Sequence, residues 1–410
     1  MLDFIKEKLK NDTILVVSGV LAIISCFIIH PDKQYIDYIN FKVLAILFAL
    51  MLVVNALVRI GTFDYVTGRL LMKIHSEKNM SLFFVTLAYF MSMLLTNDLT
   101  LVTLVPLAIM VLSAFHDRRR LMYTLIIMTA AANLGSMLTP IGNPQNLYLF
   151  TEYKFKLGDF LIMMLPYSTA SLILVALCVF VLNRTDKTVD EAVVNVPPTP
   201  QPIKLIIYSV LFIVCILTVS NLLDYRIMLA IVAAVIIIAD RKAFAGVDYT
   251  LLLTFVFFFV LIGNLGRVEA IHDVLSSIVD KNTVITAVLS SQIISNVPAA
   301  MLLSAFTANG RALTIGVNLG GLGTLIASMA SLITYKFYAK LERDECSSNN
   351  RVEKTQSRPT RRAARVSQSD KNHCAGVSKE NGKGLSYLAA FTVINVILLI
   401  ILYVMYLIVG

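Results

Sequence analysis

Apolar residues in this chain come in long runs, and polar residues break those runs at recurring places. The stretches 43–60, 203–220 and 385–409 each approach the roughly 20 apolar residues that a membrane-spanning helix needs. A first helix is predicted near 13–30 and is read as uncleaved, because no small-residue processing site follows it. An amphipathic stretch with Arg69, Lys73 and Lys78 covers 61–78. It precedes an apolar block at 81–115 that is broken by Thr96, Asn97 and Asp98. Basic residues lie at both ends of that block, so it is predicted to enter and leave on one side as a re-entrant hairpin. A further span at 121–151 is interrupted over 139–144, and 160–182 returns to the first side.

The second half repeats this order after one extra crossing at 203–220. Runs at 227–239 and 251–265 are followed by a hairpin candidate at 284–306, broken at Ser295, Asn296, Val297 and Pro298, and by a span at 313–338. Within the two interrupted spans, Asn133-Leu-Gly-Ser-Met-Leu-Thr-Pro-Ile141 and Asn318-Leu-Gly-Gly-Leu-Gly-Thr-Leu-Ile326 read as copies of each other. The extra crossing would turn the second copy upside down. The expectation is an all-α polytopic membrane protein: an inverted repeat of discontinuous helices with about nine crossings and two opposed re-entrant hairpins. Residues 1–183 form the first repeat, 184–202 a Pro-rich cytoplasmic linker and 203–410 the second repeat. Within the latter, 344–384 is too polar to bury a core and is expected to be a disordered cytoplasmic loop.

Composition supports this picture, with 57% hydrophobic and 15% charged residues. The net charge of +9 is assigned to cytoplasmic loops, with the N-terminus inside, and not to nucleic-acid binding. Cys26, Cys178 and Cys215 fall in apolar runs as packing residues, while Cys346 and Cys374 lie in the polar loop, where cytosolic placement would keep them free thiols. No zinc spacing links the five histidines, and no phosphate-binding Gly-rich loop with Lys and Ser or Thr is present, which argues against an ATP-driven pump within the chain.

Unpaired backbone groups in hydrocarbon are costly, so helix breaks at membrane depth survive where protein, water or a ligand satisfies them. Half-helix starts present free N–H groups and partial positive charge, which suits an anion; unwound carbonyls suit Na⁺. The candidate substrate and ion ligands are therefore Thr96, Asn97, Asp98, Asn133, Thr139, Gly142, Asn143, Ser295, Asn296, Asn318, Gly321 and Thr324, with Gln145 and Asn146 as further amides. Asn97 and Asn296 fit half-helix N-caps, and Pro140 and Pro144 stop the 121–151 helix. Na⁺ is assigned to Asn97, Asp98 and Asn296, with Asp98 alternatively taking up a proton. No Lys or Arg lies at the predicted midplane, so an anion would be held by helix ends, hydroxyls, amides and co-bound cations.

At these residues the chain resembles the ion transporter superfamily, which holds divalent-anion:sodium symporters, citrate permeases, arsenite permeases and sodium/proton antiporters. The hairpin tips of the symporters carry Ser-Asn-Thr. Here the matching positions are Thr96-Asn97-Asp98 and Ser295-Asn296-Val297, whose departures at Asp98 and Val297 are closer to the arsenite-permease pattern. The resemblance implies a homodimer in the bilayer of a bacterial or archaeal cell, working by an elevator motion. The reading is a transporter, with no cofactor beyond a coupling Na⁺ or H⁺, that moves a small anion or oxyacid. An arsenite extruder and a Na⁺/H⁺ antiporter stand as alternatives, and a passive channel or membrane-embedded enzyme as remote ones.

Overall fold

The structure, a computed structural model, describes residues 13–72, 74, 76–182, 198–356 and 386–409, with backbone alone for 270–271 and 345–356. Much of the expected linker and of the polar loop lies outside the described residues. The described chain is helical, joined by turns and two short 3₁₀ segments. The first half comprises α1 (Thr13–Ile28), α2 (Gln34–Tyr38), α3 (Phe41–Arg59), α4 (Thr62–Leu71), α5 (Glu77–Ser92), α6 (Asn97–Ser113), α7 (Arg118–Ser136), α8 (Pro144–Glu152) and α9 (Leu157–Leu182). The second comprises α10 (Pro202–Val219), α11 (Tyr225–Ala239), α12 (Tyr249–Gly266), α13 (Glu269–Lys281), α14 (Thr283–Ile294), α15 (Asn296–Ser304), α16 (Gly310–Gly320), α17 (Met329–Gln356) and α18 (Tyr387–Val409).

Among the described residues, five helices are long and apolar enough to cross a membrane: α3, α9, α10, α12 and α18. Large apolar residues are exposed along them, as on α10 at Ile203, Ile206, Val210 and Ile213, which is what a lipid-facing surface requires. This composition is that of an integral, multi-pass membrane protein. The other expected spans are broken into shorter helices. α5 and α6 form one helix pair around a turn at 93–96, and α14 and α15 form another that turns at Ser295. α7 stops at Ser136 and α8 restarts at Pro144, while α16 stops at Gly320 and α17 restarts at Met329.

Two departures from the sequence reading have simple causes. Pro144 does not stop a helix. It opens α8 at the first position, where a missing N–H costs nothing, with Asn143 as the cap. Likewise α17 continues to Gln356, so the start of the expected disordered loop is helical; a charged helix extending beyond a packed one needs no apolar face to hold its first turns.

Packing fixes helix senses. Gly19 of α1 lies against Phe257 of α12, and Asn264 of α12 donates to Ser25 of α1 at 2.9 Å, so these two helices run the same way. α3 and α11 also run together: Arg59 pairs with Asp240 at 2.8 Å at one end, and Phe41 and Leu44 share a groove with Tyr225 and Arg226 at the other. At the base of α5 and α7, buried Glu77 and Arg120 form an ion pair at 2.6 Å, and Asp117 at 3.2 Å is a second carboxylate on the same guanidinium. Beside it Thr124 donates to Ser81 at 3.0 Å. A buried pair of this kind costs desolvation to form and leaves an uncompensated charge if either partner is removed.

Candidate functional site

Both helix pairs have a hydroxyl residue at the cap position, with a side-chain cap bond recorded for Thr96 and none for Ser295, and this corrects the expected cap register by one position. Thr96 is extended (φ −115°, ψ 152°) and its Oγ1 accepts from Leu99 N at 3.4 Å, which makes Asn97 the first helical residue. Ser295 holds the equivalent place before α15 at φ +74°, in the left-handed region that L-residues rarely adopt, so Asn296 is also first in its helix. The shift matters because the freed amides point elsewhere. Asn97 Nδ2 donates to Asn133 Oδ1 at 2.8 Å, and Asn296 lies against Gly321, where an added Cβ would meet its Nδ2 at 2.9 Å.

The two breaks in the long spans are satisfied in parallel ways. The last carbonyls of a helix lack intrahelical donors. After α7, Asn146 Nδ2 faces the carbonyls of Met137 and Thr139, at 3.2 Å each, and of Ser136 at 3.4 Å. After α16, Gln292 Nε2 does the same for Gly320 and Leu322, at 2.9 Å each. Thr139 Oγ1 donates to Met93 O at 2.5 Å, and Thr324 Oγ1 donates to Gln292 O at 3.3 Å. Gly135 lets α7 approach Tyr89 and Ser92 of α5, and Gly320 lets α16 approach Val288 and Ser291 of α14. Met93 precedes Asn97 by the interval at which Gln292 precedes Asn296, and Ser92 and Ser291 correspond in the same way.

The halves then exchange hydrogen bonds. Ser328, just before α17, donates to Asn133 Oδ1 at 2.9 Å; Asn143, the cap of α8, donates to Asn318 Oδ1 at 3.2 Å. Asn133 follows through to Gly321 O at 3.4 Å, and Asn318 Nδ2 reaches Asn146 Oδ1 at 2.6 Å. Asn97 N–H donates to Gly142 O at 3.3 Å, so the α5–α6 turn closes onto the α7–α8 break. Ser295 Oγ meets Ala327 O at 3.4 Å, which closes the second turn onto the second break. Asn97, Asn133, Asn143, Asn146, Asn296 and Asn318 are all buried.

Of the sequence candidates, Asn97, Asn133, Gly142, Asn143, Asn318 and Gly321 thus share one network. Asn296 reaches it through Gly321, and Ser295, Thr139 and Thr324 brace its edges. Gln145 is buried but has no side-chain bond recorded to that network. Asp98 stands outside it: its backbone N–H donates to Asn97 Oδ1 at 3.0 Å, while its carboxylate Oδ1 is shielded from solvent and accepts no hydrogen bond. Three members were missed from sequence, namely Ser136, which donates to Asn133 O at 2.9 Å, Gln292 and Ser328.

Chemically, the starts of α6, α8, α15 and α17 and the ends of α7 and α16 meet around amides and hydroxyls. Partial positive charge at helix starts and partial negative charge at helix ends are therefore both available within one buried region. None of the hydrogen-bonding partners named there is Lys, Arg or His. Among the described residues no group of three or more His, Cys, Asp or Glu could hold a metal ion.

Comparison with known proteins adds the following. A family model described as "Citrate transporter" matches residues 1–334. The chain is similar to the uncharacterized transporter MJ0456 of Methanocaldococcus jannaschii, at 34% identity over 75% of this chain and 84% of that protein. It is similar to the inner membrane protein YbiR of Escherichia coli, at 31% identity over 76% of this chain and 84% of that protein. A shorter similarity, at 30% identity over 40% of this chain and 33% of that protein, links it to the silicon efflux transporter LSI3 of Oryza sativa.

Proposed function

The chain belongs to the citrate transporter family, within the ion transporter superfamily, and on that premise we propose that it is a cation-coupled secondary transporter of a small anion or oxyacid. The observation that carries this reading is the reciprocal exchange between halves, Ser328 to Asn133 and Asn143 to Asn318, at paired helix breaks. On this reading the two halves are an inverted repeat, and α5–α6 and α14–α15 are opposed re-entrant hairpins. The substrate sits among Asn97, Asn133, Thr139, Asn143, Ser295, Asn296, Asn318 and Thr324. Asp98, with Asn97 and Asn296, takes the coupling Na⁺ or H⁺. The unpartnered Asp98 oxygen supports that role, since an intramembrane acid without a donor is expensive unless a cation or proton meets it. A homodimer moving its hairpin-bearing part as an elevator, with the N-terminus in the cytoplasm, completes the proposal.

A second reading is supported by the absence of Lys and Arg from the network. Such a site suits a neutral oxyacid, and one partial relative is named a silicon efflux transporter. Flux into proteoliposomes under imposed Na⁺ or pH gradients separates the readings, with citrate, succinate, sulfate and arsenite offered in turn. Saturable, gradient-driven movement of one of them is expected, and Asp98→Asn should abolish its cation dependence while the protein still folds. Flux that neither saturates nor responds to any gradient would point to a channel and refute the coupled reading.

A further inference from the structure

A groove between α3, α11 and α12 has an apolar body and a cationic mouth, and its volume is about 670 Å³. Leu44 and Phe48 of α3, Leu229 of α11, and Leu252 and Val256 of α12 form its walls. Among the described residues its polar lining is Tyr225 and Arg226 alone. Phe41 and Leu253 are exposed along it, so it opens onto the same kind of apolar surface that the long helices turn to lipid.

The two ends of the groove differ. One is closed where the Phe48 ring meets Phe244 at 6.2 Å and Tyr249 at 6.4 Å. The other is the mouth, where Phe41 opens α3 and Tyr225 and Arg226 open α11. Phe41 to Phe48 is a rise of about 10 Å along a helix, within the roughly 15 Å of hydrocarbon in one leaflet. An occupant therefore enters at one interface and ends in the same leaflet, as an acyl chain does.

Charge at the mouth selects which lipid. Arg226 Nε donates to the Tyr225 hydroxyl at 3.2 Å, and its guanidinium carbon stands 5.5 Å from that ring centre, which steadies the side chain. No bond is recorded at its terminal nitrogens, and no ion pair holds it among the described residues. Lys42, next to Phe41, donates to the uncharged Oδ1 of Asn221. The one carboxylate close by, Asp224, caps α11 by accepting from Arg226 N at 2.8 Å through Oδ1. Two cations and one carboxylate leave a positive balance beside an apolar slot.

We propose that this groove is a binding site for one anionic phospholipid of the surrounding bilayer, its chain lying between α3 and α12 and its phosphate on the terminal nitrogens of Arg226. A guanidinium presents parallel N–H donors to a phosphate, which an amide or a lone ammonium does not. A zwitterionic lipid fills the same slot, but its own cation offsets the charge that Arg226 would meet. The proposal is independent of the substrate and of the coupling ion.

The test uses the full chain, delipidated in detergent, with thermal unfolding followed as dioleoyl phosphatidylglycerol or dioleoyl phosphatidylcholine is added to the micelles. Both should stabilise saturably, with the phosphatidylglycerol midpoint about fivefold lower, the contribution of one basic residue near anionic headgroups. Arg226→Gln should abolish that preference by raising the phosphatidylglycerol midpoint alone, and Arg226→Lys should keep part of it. Arg241→Gln, which removes the same charge beyond the far end of α11, should leave it intact. Leu253→Trp, which fills the slot, should weaken both lipids. Native mass spectrometry of the wild type needs no variant: one phosphatidylglycerol per chain should survive activation that strips phosphatidylcholine. Equal midpoints in the wild type, equal retention of the two lipids, or as large a loss in Arg241→Gln as in Arg226→Gln would overturn the proposal. Cross-linking of Leu253→Cys between copies in lipid-free micelles would also overturn it, by seating a second copy in the groove.

Discussion

Asn133 is the residue on which the two halves can be tested against each other. Its Oδ1 accepts from Asn97 Nδ2 at 2.8 Å within the first half and from Ser328 Oγ at 2.9 Å across to the second. The third bond, to Gly321 O at 3.4 Å, is long enough to contribute little. Asn133→Ala removes two good acceptor contacts. Buried side-chain hydrogen bonds between membrane helices average about 0.6 kcal/mol and reach about 1.7, less than in water because the unfolded chain in lipid also finds partners. The loss should therefore be about 1–3 kcal/mol, or roughly 5-fold to 150-fold in the unfolding equilibrium. Unfolding in mixed micelles at increasing denaturing detergent measures it. A double-mutant cycle with Ser328→Ala isolates the cross-half bond, and a coupling of about 0.5–1.7 kcal/mol is expected. Additivity within about 0.3 kcal/mol would show that Ser328 and Asn133 do not hold the breaks together, and the reciprocal exchange would lose its meaning.

Three further outcomes follow from the same structure. Glu77→Ala takes from Arg120 the shorter and more buried of its two carboxylate contacts and should cost about 3 kcal/mol in the same unfolding assay, much of it recovered when Arg120→Met is added; no recovery would mean the pair is not the source of the loss. Gly135→Ala collides with the backbone carbonyl of Tyr89 and should destabilise strongly, whereas Gly321→Ala meets the movable Asn296 amide and should lower substrate flux while leaving the unfolding midpoint near wild type. The bond donated by Arg267 holds the Asp32 carboxyl below the ordinary carboxylate range. That pair's contribution is therefore fully present above the unfolded value of 3.8 and lost as pH falls from there through the lower folded value, so Asp32→Asn should leave any pH dependence of flux near neutrality unchanged.

How much of this was legible in the sequence can be traced residue by residue. The breaks were visible because Asn, Gly, Pro and Thr are conspicuous in apolar runs, and the paired Asn133 and Asn318 segments announced themselves as copies. The cap register was not, because Thr96 and Asn97, or Ser295 and Asn296, are equally good caps by residue type. The choice depends on what the spare amide can reach, and Asn133 and Gly321 are remote in sequence. Ser328 could have been found by continuing the alignment of the copies, since it follows Asn318 by the interval at which Asn143 follows Asn133. Gln292 could not. Its counterpart is Met93, which offers a backbone carbonyl where Gln292 offers a side-chain amide as well, so the chemistry is equivalent in part but the residues are unlike.

The make-up of the network constrains what the site can discriminate. Amides both donate and accept, so a cluster of asparagines can turn to suit a carboxylate, an oxyanion or a neutral acid, and by itself selects weakly on charge. Helix starts favour negative charge, yet each supplies only about half an elementary charge, and two helix ends of opposite polarity share the region. A multiply charged anion would therefore arrive undercompensated, and the deficit must be met by cations that enter with it. In the opposite case, a neutral oxyacid needs no such partner, and a coupled cation would serve to drive its movement and not to balance its charge. The two readings thus differ in one measurable respect. For a carboxylate substrate, removing the cation should weaken substrate binding itself, whereas for a neutral acid it should abolish accumulation against a gradient and leave equilibrium binding nearly intact.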